Sequence, residues 1–239
     1  MAGHSKWANI KHRKGRQDAI KGKLFTRLIR EITVSARLAG GDMNSNPRLR
    51  SAVEAANGAN MPKEKIDRAI KKGSGGDESQ DLEEIRYEGY SPGGAAIIVD
   101  CVTDNRNRTV ADVRHAFSKA GGNLGTEGCV SFLFKKIGIL TVIEIEDEDA
   151  FLEKVLESDV EDVQKISDDS FGIICAPESF FDVKDLLQDS GIALSDSEIT
   201  LAPTQEKQLK GKHREQTEKM FDLLEDVDDV QKIYTNAVF

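Results

Sequence analysis

Cysteine is scarce in this chain. Its 239 residues include three, Cys101, Cys129 and Cys175, odd in number, far apart and never in a Cys-x-x-Cys pair. That spacing excludes a disulfide framework and a thiolate zinc site, and leaves the three as small apolar residues, expected to be buried. Long hydrophobic runs are missing. None approaches the roughly 18 residues that would span a bilayer, and no apolar core of a signal peptide follows Met1. The expectation is a soluble cytoplasmic protein with no membrane partner. Catalytic signatures are missing too. There is no Gly-x-x-x-x-Gly-Lys-[Ser/Thr] loop, and Gly73-Ser74-Gly75-Gly76 lacks both the lysine and a preceding strand. There is no Gly-x-Ser-x-Gly elbow. His4, His12, His115 and His213 show no metal-ligand spacing. The acidic pairs Asp147–Asp149 and Asp226–Asp229 fall at turns, where acids cap helices. No enzyme, metal or cofactor is expected.

What the chain does have is segregated charge. The formal net charge is −9. Residues 1–73 hold 17 Lys and Arg against 6 Asp and Glu, a balance of +11. The remaining residues hold 16 against 36, a balance of −20, and the two together give −9. Binding to a polyanion depends on the local field rather than on the total. An acidic chain with a basic N-terminal third therefore points to nucleic acid.

The hydrophobic pattern changes where the charge changes. Residues 1–17 are basic and aperiodic and read as an extended arm. From residue 18 to 39, Ile20, Leu24, Phe25, Leu28, Ile32 and Ala36 recur at three- and four-residue steps, a helical stripe ended by Gly40-Gly41. Asn46 is placed to cap a second helix with Pro47 in its first turn and Leu49, Ala52, Val53 and Ala56 inward. Asn57-Gly58 weakens its end. Pro62 opens a third helix, with Ile66, Ala69 and Ile70 inward and Gly73 as the stop. Residues 73–81 carry nothing apolar and read as a linker.

Beyond the linker, period-two strands alternate with short helices. Residues 84–90 and 95–102 flank the turn cluster Ser91-Pro92-Gly93-Gly94 and predict a hairpin. Thr109-x-x-Asp112 predicts the cap of a helix with Val110, Val113 and Phe117 inward, ended by Gly121-Gly122. Strands are expected at 130–134, 137–145, 160–166, 171–176, 198–202 and 230–234. Helices are expected at 149–156, 180–188 and 212–224. Residues 137–202 thus follow the β-α-β-β-α-β order of ferredoxin-like domains. Residues 156–166 (LESDVEDVQKI) also resemble 223–233 (LLEDVDDVQKI), and this near-repeat implies two related α/β units. The fold class expected is α+β in three domains: an N-terminal helical bundle at 1–76, a discontinuous middle α/β domain at 81–136 plus 204–239, and an inserted ferredoxin-like domain at 137–203.

The arm supplies the first candidate site. Lys6, Lys11, His12, Arg13, Lys14 and Arg16 cluster the cations that phosphate neutralisation needs. Trp7, the only tryptophan, stands among them, where a base could stack on it or where it could anchor the arm to the helices. The helical cations Lys21, Lys23, Arg27, Arg30, Arg48, Arg50, Lys63, Lys65, Arg68, Lys71 and Lys72 outnumber the acids of their own segment. They predict a positive face. The second candidate is Arg106 and Arg108, read as lying just before a helix N-terminus, with Arg114 and His115; backbone N–H groups there favour anions. The alternative is a capping loop whose arginines pair with nearby acids. No zinc-finger spacing, aromatic RNA-binding run or heptad zipper predicts base-specific readout.

These residues carry a resemblance. Residues 2–14 (AGHSKWANIKHRK), 24–32 (LFTRLIREI), 46–50 (NPRLR), Asn60-Met61-Pro62, 68–73 (RAIKKG), 87–90 (YEGY), Pro92-Gly93-Gly94 and 103–125 (TDNRNRTVADVRHAFSKAGGNLG) are similar to the signatures of the YebC family, across essentially the whole chain. That family comprises bacterial gene-expression regulators and mitochondrial translational activators. The resemblance implies a helical domain followed by two α/β domains, and a regulatory role without enzyme activity. Bacterial members are regarded as DNA-binding transcriptional regulators, and members are also associated with translation at the ribosome. Departures are confined to Met43-Asn44-Ser45, where an Asp-Pro-containing loop is more usual, to Asn57-Gly58, and to Ser91, where Gly is more usual.

Three functions follow. The first is a DNA-binding transcription regulator. With roughly five phosphate contacts, log affinity against log salt would slope near −4 to −5 on duplex DNA. The second is a translation factor gripping ribosomal RNA or tRNA, which suits a chain whose acidic domains a long naked duplex would repel. The third is a protein-interaction scaffold whose basic face binds an acidic partner. The oligomeric state is open, with a monomer favoured.

Overall fold

The computed structural model describes residues 21–75 and 82–239, and for Lys21 and Gly22 the backbone only. The residues read as a basic arm, residues 18–20 of the first expected helix and most of the expected linker lie outside the described residues. The chain divides into two compact units, one formed by 133–205 and the other by the rest of the described residues.

The second of these units begins with three helices: α1 (Lys21–Ala39), α2 (Pro47–Gly58) and α3 (Lys63–Gly73). Their apolar stripes meet in one cluster of Ile32, Ala36, Leu49, Ala52, Val53, Ala56, Met61, Ile66 and Ala69, with Phe25, Leu28, Ile29 and Ile70 at its margin. The face expected for α2 is the face buried. Fully burying a Leu or Ile contributes roughly 1.5–3 kcal/mol, so Ile32 and Leu49, both fully buried, carry much of this bundle. Gly40, at φ +86°, ends α1 in the left-handed region. Asn46 caps α2 as expected: its Oδ1 accepts from Leu49 N at 3.0 Å while its amide donates to the carbonyls of Ser35 and Gly40. Helix α2 runs through Asn57-Gly58. Gly73 is more than a stop: a Cβ there would come within 2.3 Å of the Thr33 carbonyl, so the missing side chain lets α3 lie against α1.

The same unit continues into a hairpin, β1 (Glu83–Tyr90) and β2 (Ala96–Thr103), paired antiparallel from Glu83 opposite Thr103 to Tyr90 opposite Ala96. Helix α4 (Arg106–Ala120) leads to β3 (Asn123–Leu124). Its cap differs from expectation. Asn105, not Thr109, accepts from Arg108 N, so the helix starts four residues earlier and Arg106 and Arg108 stand in its first turn. Thr109 is buried because its hydroxyl is bonded elsewhere, to Asp229. Residues 130–133 do not form the strand expected at 130–134; Phe134 opens the next one. Their backbone is diverted by the buried carboxylate of Glu88, which accepts from the N–H groups of Gly128, Val130 and Ser131 and from the Ser131 hydroxyl.

The other unit is β4 (Phe134–Ile143), α5 (Glu148–Leu156), β5 (Val160–Ser167), β6 (Ser170–Cys175), α6 (Phe180–Asp189) and β7 (Ala193–Pro203). The antiparallel order β5-β6-β4-β7 is that of a ferredoxin-like sheet. Both β4 and β7 run longer than their hydrophobic alternation suggests, because they pair along their whole length, from Phe134 opposite Pro203 to Ile143 opposite Ala193. Helices α5 and α6 cover one face through Phe151, Val155, Phe180, Val183 and Leu187, against Leu140, Val142, Phe171 and Ile173.

The chain then continues with β8 (Lys207–Gln208), α7 (Gly211–Glu225), β9 (Val230–Thr235) and β10 (Ala237–Val238), of which β8 and β10 pair as a separate two-stranded parallel sheet and β9 returns to the first sheet. Strand β9 pairs antiparallel with β2, giving the order β3-β1-β2-β9. Helices α4 and α7 lie on one face of that sheet, with Val113, Phe117, Met220 and Leu224 packed on Ile97, Val99 and Ile233. The near-repeat holds in three dimensions: α5–β5 and α7–β9 are each a helix, an acidic turn and an edge strand. The fold is α+β, helical first and then two α/β sheets, the first of them completed by the end of the chain.

Candidate nucleic-acid interface

Cations expected on one positive face are sorted by the fold into two groups. The first group is engaged. On α1, Lys23, Arg27 and Arg30 recur at four- and three-residue spacing and so share one face. That face meets the C-terminal end of α7 and the turn after it. Lys23 Nζ pairs with Asp226 at 2.5 Å, Arg27 donates to the Glu225 carbonyl at 3.1 Å, and Arg30 donates to the Asp228 carbonyl and pairs with Asp229 at 3.1 Å. Burial lowers the Arg27 pKa, and the nearby Glu225 and Asp228 only partly offset it. On α2, Arg48 bridges Glu31 at 2.7 Å and Glu84 at 2.5 Å. Burial opposes its charge, but hydrogen bonds to the two carboxylates raise its pKa overall. Arg37 donates to the Leu82 carbonyl at 3.2 Å.

Counting acids within the basic segment predicts that these cations lack partners. Within that segment Glu31 engages Arg48, and the remaining partners come from Leu82, Glu84 and residues 225–229, beyond the linker. The signal was in the sequence, as cations at 23, 27 and 30 and an acidic run at 225–229, but only the fold brings them together.

The second group is exposed. Lys63, Lys65, Arg68, Lys71 and Lys72 all lie on the solvent side of α3, opposite Ile66, Ala69 and Gly73. Among the described residues, no carboxylate forms an ion pair with any of the five. Lys65 Nζ sits 5.5 Å from the Phe25 ring centre, a cation–π contact. The half-buried Arg50 lies apart from this face, on α2. Lys6, Trp7, Lys11, His12, Arg13, Lys14 and Arg16 lie outside the described residues, as does the side chain of Lys21.

The second candidate site divides in the same way. Arg108 is part of an ion-pair network, bonding Asp229 at 2.9 Å and Asp104 at 2.8 Å. Hydrogen bonds to those two carboxylates raise its pKa. This is the capping-loop alternative. Arg106 and Arg114 are exposed on α4. His115 lines a polar cleft of about 650 Å³ with Arg30, Asp104, Arg108, Asp112 and residues 226–229.

Asp229, which sequence reasoning placed only at a turn, is the centre of this region. Its side chain is 3% exposed, and its carboxylate accepts from Thr109 Oγ1 at 2.7 Å, Thr103 Oγ1 at 3.2 Å, Arg108 and Arg30. Burial alone would raise its pKa, but the Thr109 and Arg108 hydrogen bonds and the charges of Arg30 and Arg108 outweigh it, so the pKa is lowered. Cys101 and Cys175 are buried, and burial pushes their thiols up to about 12 and about 11. Among the described residues no group of His, Cys, Asp and Glu could hold a metal, and no helix is long and apolar enough to cross a membrane.

Comparison with known proteins agrees with this architecture. Residues 5–76 match the model of the TACO1/YebC protein N-terminal domain, and residues 82–237 that of the TACO1/YebC second and third domain. A probable transcriptional regulatory protein of Aromatoleum aromaticum is 56% identical over 238 residues, 100% of this chain and 99% of that one. A probable transcriptional regulatory protein of Nitrosospira multiformis is 57% identical over 238 residues, again 100% and 99%. The crystal structure of a conserved hypothetical protein from Aquifex aeolicus superposes with a TM-score of 0.82 at 46% identity, over 93% of this chain and 92% of that one. The Aromatoleum and Nitrosospira relatives carry the names of regulators, not of enzymes. With both family models matched in chain order and relatives identical at more than half of all positions, this chain belongs to the TACO1/YebC family.

Proposed function

We propose that this protein is a cytoplasmic, non-enzymatic regulator of gene expression that binds nucleic acid through its basic N-terminal region. One observation carries the reading: five cations on the solvent face of α3, without ion-pair partners among the described residues, in a chain that is otherwise strongly acidic. Phosphates replace the counterions that such a face collects, and the released ions supply the affinity. The arm residues Lys6, Lys11, His12, Arg13, Lys14 and Arg16 extend the same charge, and Trp7 offers a surface for a base. Arg106 and Arg114 form a smaller second contact. Relatives named as transcriptional regulators support a nucleic-acid target. In this reading the functional domains are 1–76, 81–136 with 204–239, and 137–203, and the first of them makes the contact.

A second reading places that contact on ribosomal RNA or tRNA. The balance of −20 beyond residue 73 favours it, because an acidic body is repelled by a long naked duplex and tolerated on the mixed surface of a ribosome. Crosslinking in cells, denaturing purification and sequencing of the attached nucleic acid tests both. Discrete genomic sites establish the transcription reading. Ribosomal RNA or tRNA, lost when Arg68, Lys71 and Lys72 are changed to Glu, establishes the translation reading. Recovery of neither rejects the nucleic-acid function.

A further inference from the structure

The helical bundle and the first α/β sheet have separate apolar cores. The bundle's cluster contains only residues of 25–70, and the sheet's only residues of 87–233. What joins them is polar: Lys23 to Asp226, Arg27 to the Glu225 carbonyl, Arg30 to the Asp228 carbonyl and the Asp229 carboxylate, Arg37 to the Leu82 carbonyl and Arg48 to Glu84. In each bond the bundle supplies the cation and the sheet domain the oxygen.

The acceptor end is built to need those cations. Helix α7 ends with its negative dipole end beside Glu225, Asp226, Asp228 and Asp229, and it has no basic residue of its own in the last turn. Acids at a helix C-terminus repel the dipole and one another, so the α1 cations are their compensation. The near-repeat gives an internal comparison. Asp162 occupies the place in the first copy that Asp229 occupies in the second. Asp162 is exposed and bonded to Gln164, whereas Asp229 is buried and gripped by two arginines. One sequence motif is solvated in one unit and clamps α1 in the other.

We propose that residues 225–229 form an autoinhibitory latch, an internal substitute for phosphate that holds Lys23, Arg27 and Arg30 until nucleic acid competes for them. Carboxylates and carbonyls offer the α1 cations the same oxygen acceptors that a phosphate backbone offers. A polyanion seated on the neighbouring α3 brings those acceptors close to α1. Binding then exchanges the internal partners for phosphates and frees the bundle from the sheet domain. This regulation rests on the nucleic-acid reading above.

The test uses the full chain with a duplex RNA of about 16 base pairs, the span of two successive minor grooves. Spin labels are placed on exposed sites of the two parts, by Ala55→Cys on α2 and Ser118→Cys on α4, with Cys129→Ser to remove the half-buried native thiol. The expected result is a single short label distance in the free protein, replaced by a longer and broader one at RNA saturation. In parallel, Asp226→Asn with Asp228→Asn is compared with Asp159→Asn with Glu161→Gln, the same charge change in the other copy of the motif. Releasing Lys23, the α1 cation held by a side chain that these changes neutralise, steepens the salt dependence of binding by about 0.7–0.9 for one added contact. The matched control raises affinity without that change of slope. Binding by the native chain with an unchanged label distance and equal slopes in the two variants overturns the latch and leaves the nucleic-acid reading standing. No binding by the native chain, at low salt and with duplex or single-stranded RNA or DNA, rejects both.

Discussion

Arg30 on α1 and Asp229 at the foot of β9 form an ion pair at 3.1 Å in which the carboxylate is almost fully buried and the guanidinium is about one-fifth exposed. Arg108 reaches the same carboxylate from the other side, at 2.9 Å. A buried charge held by two arginines and two hydroxyls is costly to unpair. Asp229→Asn keeps the shape and removes the charge. It is expected to lower the unfolding free energy by about 2–3 kcal/mol, measured by urea denaturation at pH 7. Unchanged stability means that the network is cosmetic.

The same groups set the acid limit of stability. The Asp229 and Glu88 pKa values are both lowered in the folded chain. For Glu88, burial opposes the charge, and the Ser131 hydroxyl and the N–H groups of Val130, Gly128 and Ser131 overcome it. A lowered folded pKa makes the native state the weaker proton binder. Its contribution is complete above the unfolded carboxylate value of about 4 and is lost as pH falls through the folded value. Stability is expected to be level from about pH 7 to 5 with respect to these two groups and to fall below about pH 4. A double variant, Asp229→Asn with Glu88→Gln, is less stable at pH 7 and has a shallower acid limb. Parallel pH profiles for the variant and the native chain would remove these carboxylates from the account.

Two glycines of the bundle are expected to respond in opposite directions. At Gly73 an added Cβ would meet the Thr33 carbonyl at 2.3 Å and the Ala36 methyl at 2.8 Å, so Gly73→Ala forces α3 away from α1. The expected cost is about 1–3 kcal/mol, more than the gain of up to about 1 kcal/mol in helix propensity. At Gly58 a Cβ meets nothing within 4 Å, and Gly58→Ala is expected to stabilise by about 0.5–1 kcal/mol. Thermal unfolding of the two variants reads both signs. A destabilised Gly58→Ala or a stabilised Gly73→Ala contradicts the packing described here.

The sorting of cations also makes a binding prediction. Arg68→Ala with Lys72→Ala removes two exposed charges from α3 and is expected to flatten the salt dependence of duplex DNA binding by about 1.8, at about 0.9 per phosphate. Arg48→Ala removes a cation already engaged by Glu31 and Glu84. It leaves the slope unchanged and costs about 0.5–1 kcal/mol of stability. Equal changes of slope in the two variants would show that the internal pairs do not hold Arg48 back from phosphate.

By itself the sequence determined the local elements and the class of fold. The cap at Asn46, the apolar face of α2, the hairpin around Pro92-Gly93-Gly94 and the ferredoxin-like order of 137–202 rest on short-range rules of side-chain period, backbone permissiveness and capping, which act within a few residues. The segregation of charge was equally legible, because it is a count. Only the tertiary structure decided which cations are free. Lys23, Arg27, Arg30 and Arg48 read the same as Arg68, Lys71 and Lys72 in a local count of charges, and apart from Glu31, which shares Arg48 with Glu84, the residues that engage the first four lie beyond the linker. The capping box read at Thr109 failed for the same reason, since its hydroxyl belongs to Asp229, 120 residues away. Asp162 and Asp229 stand in nearly identical runs of sequence, yet one faces water and the other is buried between arginines. An ion pair needs proximity in space, and pairing across more than a hundred residues is fixed by how the sheets and helices pack, not by any property of the pattern on either side.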